Sequence, residues 1–346
     1  MLTVVGPVGA DAHDGGSHPE RPSRIDAVME GVRHVGQVLG SELELVPAEP
    51  VPRAALERVH AAPYVAQVEL LCTEGGGRID PDTYVREDSW DTALRSAGAG
   101  LQAVEALRGR SNSGVAFVAT RPPGHHALSD RGMGFCIFNN VAVTAAALAA
   151  EGERVLIVDW DVHHGNGTQA VFWDDPSVLY VSTHQSPLYP GTGAAEEVGG
   201  PNARGLTVNV PLPAGSTGDA VLRALGEVAA PVIDAFAPTW VLISAGFDAH
   251  RADPLAELSL SSGDFASLAR TVAGFGAAGG GLVVFLEGGY DLDALRSSVA
   301  ATLGALSGVG EGEMPGAEAV TSGGPGSEAV DRAALARARA LGAAGG

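Results

Sequence analysis

Cysteine is nearly absent: Cys72 and Cys136 are the only two in 346 residues. A disulfide scaffold is therefore excluded, and the pair suits a reducing cytoplasm. Long apolar runs are missing too. No stretch approaches the ~20 residues needed to span a bilayer. The opening MLTVVGPVGADAHDGG lacks the basic start and apolar core of a secretory signal. A cytoplasmic protein without a membrane partner is expected. Basic residues are scarce, 21 Lys and Arg against 41 Asp and Glu, for a formal net charge of −20. That balance disfavours contact with nucleic acid. It fits a cationic substrate, and equally a surface kept soluble by its charge. What the chain does have is 45% hydrophobic residues, enough for a substantial core.

Five segments share one plan: an apolar run that ends in a polar, Gly-rich or Pro-rich motif. Val115–Ala119 precedes TRPPGHHA, Val155–Val158 precedes DWDVHHGNG, and Val178–Val181 precedes STHQSPLYPGTG. Trp240–Ile243 precedes SAGFDAH, and Leu282–Leu286 precedes EGGY. Ala- and Leu-rich stretches of helical character, such as Val141–Ala150 and Ala220–Ala235, lie between them. Strands alternating with helices predict an α/β fold with a mostly parallel central sheet flanked by helices. Strand carboxyl ends share one edge of such a sheet, and ligands bind there. The five motifs should therefore meet. Pro22 and Ser23 suit a helix start. One domain is expected over 1–308, then a Gly/Ala-rich tail over 309–346. That tail reads as linker or poorly ordered over 309–327, with a short helix over 329–343.

In VLIVDWDVHHGNGTQ (Val155–Gln169), a buried strand ends in carboxylates and imidazoles, which are costly to bury unless paired or bound to a metal. Asp161 and His163 are two apart, so in extended backbone they face the same side. With Asp248 of SAGFDAH they make a three-ligand site with an open position, as catalytic zinc requires; Fe²⁺ or Mn²⁺ suits the same set. His125 and His126 supply general acid–base chemistry, with Asp159 and Asn166 as partners for their back nitrogens. Asn166 is uncharged, so its histidine should be the less basic. Tyr290 can donate to a developing oxyanion, while Gly288 and Gly289 let the backbone approach a substrate closely. Gly134, Phe135 and Tyr189 can form a narrow apolar tunnel.

These motifs, with GFCIFNNVAV, LEGGYDL, the early HPERPSRI and DTYVREDSW, resemble the histone deacetylase family in its bacterial and class II branch. The wider superfamily includes acetylpolyamine amidohydrolases and acetoin utilization proteins. The likeness runs over about residues 10–305, in the family's order. It implies an arginase-like fold and zinc-dependent hydrolysis of an acyl-lysine amide, releasing acetate. Asp161, His163 and Asp248 would then bind Zn²⁺, His126 would be general base and acid, and His125 its electrostatic neighbour. Gly134, Phe135, Tyr189, Gly288 and Asp82 would contact substrate. Asp159, Ser182 and Thr183 would hold a structural K⁺. Asn166 agrees with class II. Leu255 stands where polyamine-specific members can carry glutamate, so it favours acyl-lysine. The alternatives are an acetylpolyamine amidohydrolase and a non-catalytic acyl-lysine binder. An arginase-like guanidine hydrolase ranks below both, because its two metal ions need more ligands than this chain offers.

Overall fold

The computed structural model describes residues 1–342 apart from 8, 10, 111–113, 277–280, 311–313 and 315–317. Among the described residues ten strands form: β1 Leu2–Gly6, β2 Leu43–Pro47, β3 Gly76–Asp80, β4 Thr83–Arg86, β5 Val115–Val118, β6 Val155–Asp159, β7 Val178–Gln185, β8 Thr207–Leu212, β9 Trp240–Ala245 and β10 Leu282–Leu286. Eight of them make one sheet in the order β2-β1-β5-β10-β9-β6-β7-β8, and its pairings are parallel. β3 and β4 form a separate antiparallel hairpin. The five motif-bearing strands, β5, β10, β9, β6 and β7, are contiguous at the centre.

Strand side chains alternate between two cores. Leu156 and Val158 of β6 and Val284 and Leu286 of β10 face one core, with Val28, Leu268 and Leu295 from the helices Ser23–Leu39, Ser262–Gly274 and Leu292–Leu306. Val155, Ile157, Val283 and Phe285 face the other, with Val65, Ala97 and Val141 from the helices Ala62–Thr73, Ser89–Arg108 and Asn140–Ala150. A parallel sheet buried on both faces explains why these runs are continuously apolar and not alternating in sequence. The architecture is helix, sheet, helix, as expected.

The helical stretch expected over Ala220–Ala235 is interrupted by a π-helical segment, Ala224–Ala229. β1, β2, β8 and the β3–β4 hairpin carried no polar end-motif to flag them in the sequence. The C-terminal helix runs Ser327–Gly342, so residue 343 of the expected span lies outside the described residues. The expected linker differs where it is described. Glu318 and Thr321 are tied by hydrogen bonds to the start of the helix Ser262–Gly274. Composition flagged poor packing, but the polar side chains found partners on the domain. Among the described residues, no helix is long and apolar enough to cross a membrane.

Candidate active site

β6 ends in Asp159, in register with Ser182 of β7 and Ser244 of β9. The chain then turns, and backbone amides cradle the acids. His163 N–H and Gly288 N–H donate to Asp161 at 2.9 and 2.8 Å. Val162 N–H donates to Asp248 at 2.9 Å. Nδ1 of His163 lies 3.1 Å from Asp161 Oδ1 and 3.2 Å from Asp248 Oδ2. One nitrogen and two carboxylate oxygens thus lie within 4.8 Å of one another. Burial, then the neighbouring charge of Asp161, pushes Asp248 up to about 7. Two buried carboxylates with one imidazole at this separation fit a divalent cation, which would relieve that repulsion. Gly288 must be glycine here, because a Cβ would sit 2.0 Å from Asp248 Oδ2.

The two adjacent histidines have different backing. His125 Nδ1 meets Asp159 Oδ2 at 3.1 Å, and Tyr180 hydroxyl donates to the same oxygen. His126 Nδ1 meets Asn166 Oδ1 at 2.8 Å. The amide oxygen can only accept, so Nδ1 carries the proton and Nε2 is the free base. The rings are 4.0 Å apart. Burial opposes charge on His125, but Asp161, Asp159 and Glu287 outweigh it and raise its pKa well above the ordinary value. Burial, then the charges of His125 and His163, pushes His126 well below. Adjacent groups driven apart in this way can serve as a cationic and a basic partner.

A cavity of about 230 Å³ joins these parts. His125, His126, His163 and Tyr290 line it, and so do Asp82, Gly134, Phe135, Tyr189, Leu255 and Gly288, the residues the sequence placed at the substrate. Pro123 and Leu188 line it as well and were not anticipated. Tyr189 crosses His126 edge-on at 5.2 Å, and Phe135 does the same to Tyr290 at 5.7 Å. Gly134 has φ +57°, and a Cβ there would lie 2.4 Å from the His126 ring. Asp82 accepts the Gly134 N–H at 3.2 Å and so braces this wall. Burial raises the Tyr290 phenol well above its ordinary pKa, against the opposing charge of Arg24, so it stays a proton donor. Ser182 and Thr183 are buried on β7 beneath this edge. Ser182 Oγ is 3.0 Å from His184 Nδ1.

Two groups of supporting residues escaped the sequence reading. Glu287, fully buried, accepts N–H bonds from Gly124 and His125 at 2.7 and 3.1 Å and a hydroxyl from Ser244 at 3.1 Å. It locks the loop carrying the histidines onto β10. Arg24 donates to the carbonyls of Gly289 and Glu287 and lies 4.9 Å from the Tyr290 ring centre. Glu20 pairs with Arg24 and with Arg121. The signals were a lone acid before two glycines and the charges of HPERPSRI, which no short-range pattern connects to the site.

A model of the histone deacetylase domain matches residues 18–306. The chain is 40% identical to histone deacetylase 10, chloroplastic, of Oryza sativa subsp. japonica over 86% of its own length and 72% of that protein. A probable deacetylase of Archaeoglobus fulgidus is 41% identical, over 80% of this chain and 77% of its own. The histone deacetylase-like amidohydrolase of Pseudomonas aeruginosa is 40% identical, over 79% and 71% respectively. The crystal structure of the HDA15 HD domain matches with a TM-score of 0.86 at 33% identity, covering 99% of this chain and 97% of that one.

Proposed function

The chain belongs to the histone deacetylase family, and on that footing we propose that it hydrolyses the amide of acyl-lysine in proteins or peptides, releasing acetate from acetyl-lysine. The supporting observation is that Asp161, His163 and Asp248 lie together and that His163 lines a cavity with His126 and Tyr290. Asp161, His163 and Asp248 would hold zinc, with Fe²⁺ or Mn²⁺ as the alternatives. That ion, when bound, supplies a Lewis acid and a water of lowered pKa. Asp159, Ser182 and Thr183 would hold a structural potassium ion. The buried free thiols of Cys72 and Cys136 suit the cytoplasm.

The remaining chemistry falls to this chain's side chains. Nε2 of His126 takes a proton from the water that attacks the amide carbon. The Tyr290 hydroxyl donates to the carbonyl oxygen as charge builds there. His125, held cationic by Asp159 and Asp161, favours a negative tetrahedral centre beside it. The histidine pair then returns a proton to the nitrogen, the C–N bond breaks, and acetate and a free amine leave. Phe135 and Tyr189 exclude water from the side chain's stem. Leu255 presents no charge at the mouth, which favours a substrate with one amine over a polyamine.

The test is release of the free acid: acetate from an acetyl-lysine peptide and from an acetylated polyamine, and the corresponding longer carboxylate from longer acyl-lysines. All 21 Lys and Arg of the chain are arginine, so acetate cannot come from the enzyme's own side chains. The reading expects higher kcat/KM on the peptide, loss of turnover after chelation, and recovery with zinc. Preference for the polyamine would move the substrate to that class. Binding of the acetyl-lysine peptide without turnover in the zinc-loaded protein would leave an acyl-lysine binder.

A further inference from the structure

The loop that follows Asp248 carries Asp253 and Leu255. Asp253 accepts two backbone N–H bonds, one from Tyr290 at 2.7 Å and one from Leu255 at 3.0 Å. A single carboxylate therefore sets the spacing between the proposed oxyanion donor and the cavity mouth. The base of the loop is held in turn by His250. Its Nδ1 accepts the Ala252 N–H at 3.1 Å, so Nε2 carries the proton and donates to Glu318 at 2.8 Å. The Asp253 N–H closes the turn onto the His250 carbonyl at 2.9 Å.

Glu318 lies beyond the matched family domain, which ends at residue 306. Its carboxylate also accepts the Ser262 N–H at 3.1 Å and pairs with Arg251. The residues after it are stitched down. The Ala319 carbonyl accepts the Ser261 hydroxyl at 2.7 Å, and Thr321 donates to Asp264. Gly263 leaves room for this strap, because a Cβ there would meet the Glu318 carbonyl at 2.2 Å. His250 is buried, whereas Arg251 is half exposed. The His250 bond is therefore the strong tether and the Arg251 pair the weak one.

We propose that Glu318 is a positioning residue for the active site: through His250 and Asp253 it holds the Tyr290 backbone and Leu255 in place. The strap is thus part of the working enzyme, although it lies outside the family domain. The consequence for turnover rests on the deacylase reading above; the mechanical consequence does not.

The experiment compares full-length wild type with Glu318→Ala, Glu318→Gln and Arg251→Ala. Amide hydrogen exchange is followed over residues 249–261 and 287–292. Losing one hydrogen bond at the base of the loop should speed exchange in both segments about tenfold. On an acyl-lysine peptide, Glu318→Ala should lose about tenfold or more in kcat, because small misplacements near the chemistry are costly. KM and bound metal should stay near wild type. Glu318→Gln keeps an acceptor for His250 and should recover most of both effects, and Arg251→Ala should match wild type. If Glu318→Ala does not fold, Glu318→Asp, one carbon shorter, gives the same comparison. Unchanged exchange at 287–292 overturns the proposal, as does faster exchange with unchanged kcat in an active enzyme. An inactive wild type with the exchange response intact removes the deacylase reading and leaves the tether standing.

Discussion

Asp161 and Asp248, the floor behind the cavity-lining His163 and Gly288, are buried and held by backbone N–H groups, whereas Tyr189 and Leu255 at its rim keep 37% and 36% of their surface exposed. The floor is made of residues two to four steps past strand ends, Asp161 and His163 after β6 and Asp248 after β9. Its geometry is inherited from a parallel sheet packed on both faces, and little there can move without breaking the sheet. The rim is made of loops, whose side chains can change without unfolding anything. On the proposed function the difference would separate reaction from selection: segments anchored to strand ends would place the groups that react, and replaceable loop residues would decide what enters.

The most severe way to break the floor is Asp248→Ala. It removes one of the three proposed ligands and leaves Asp161 and His163 as an incomplete set. Metal content by elemental analysis should fall to background, together with all turnover. Full occupancy in that variant would assign the metal elsewhere.

Tyr290→Phe deletes a single hydroxyl at the junction of floor and rim. Metal should be retained and kcat should fall about 10²–10³-fold, the usual cost of one oxyanion donor. Near wild-type turnover would make Tyr290 a wall residue.

Acid tests the floor's support from behind. His60 bonds the Leu128 carbonyl through Nδ1 and accepts the Asn139 N–H through Nε2 at 2.9 Å each, bracing the loop after His126. Burial lowers its pKa to about 4. The unfolded chain, with an ordinary imidazole, binds a proton below about pH 6.5, while the folded chain binds it only below about 4. Stability from this group is therefore full above pH 6.5 and declines as the pH falls towards 4. Between pH 7 and 5 the loss is about 2 kcal/mol. Urea unfolding at both pH values should show it, and a His60→Gln variant should show a smaller pH dependence. An equal dependence in the variant would mean that His60 is not the group responsible.

Leu255→Glu perturbs only the rim and should have the smallest effect. A carboxylate there attracts the distal ammonium of a polyamine by about 1 kcal/mol at moderate dielectric. The ratio of kcat/KM for acetylated polyamine over acetyl-lysine peptide should rise, and should fall back in high salt. A ratio unmoved by the substitution would deny Leu255 a role in selection.

How much of this was legible beforehand depended on distance along the chain. The Asp161 and His163 pair was visible from residue type and close spacing, but extended backbone was the wrong reason: the strand ends at Asp159, and the two meet across a turn in which His163 N–H donates to Asp161. The five motif strands were visible because a strand buried on both faces leaves an unbroken apolar run. Glu287, Arg24 and Glu318 were not, since each acts on a partner far away in sequence: Arg24 on Gly289, Glu287 on Gly124, Glu318 on His250. Their residue types are those of ordinary surface charges, and burial becomes evident only once the partners are brought together.

The sequence by itself determined the α/β class, the convergence of polar motifs at one sheet edge, and the residue types available for the chemistry. Local steric rules and apolar patterning are enough for that. Tertiary structure decided the strand order, the opposite electrostatic fates of His125 and His126, and the anchoring of the Tyr290 loop by Asp253 and Glu318. Those depend on which charges share a buried space. Chain connectivity does not specify that until two cores have closed around the sheet.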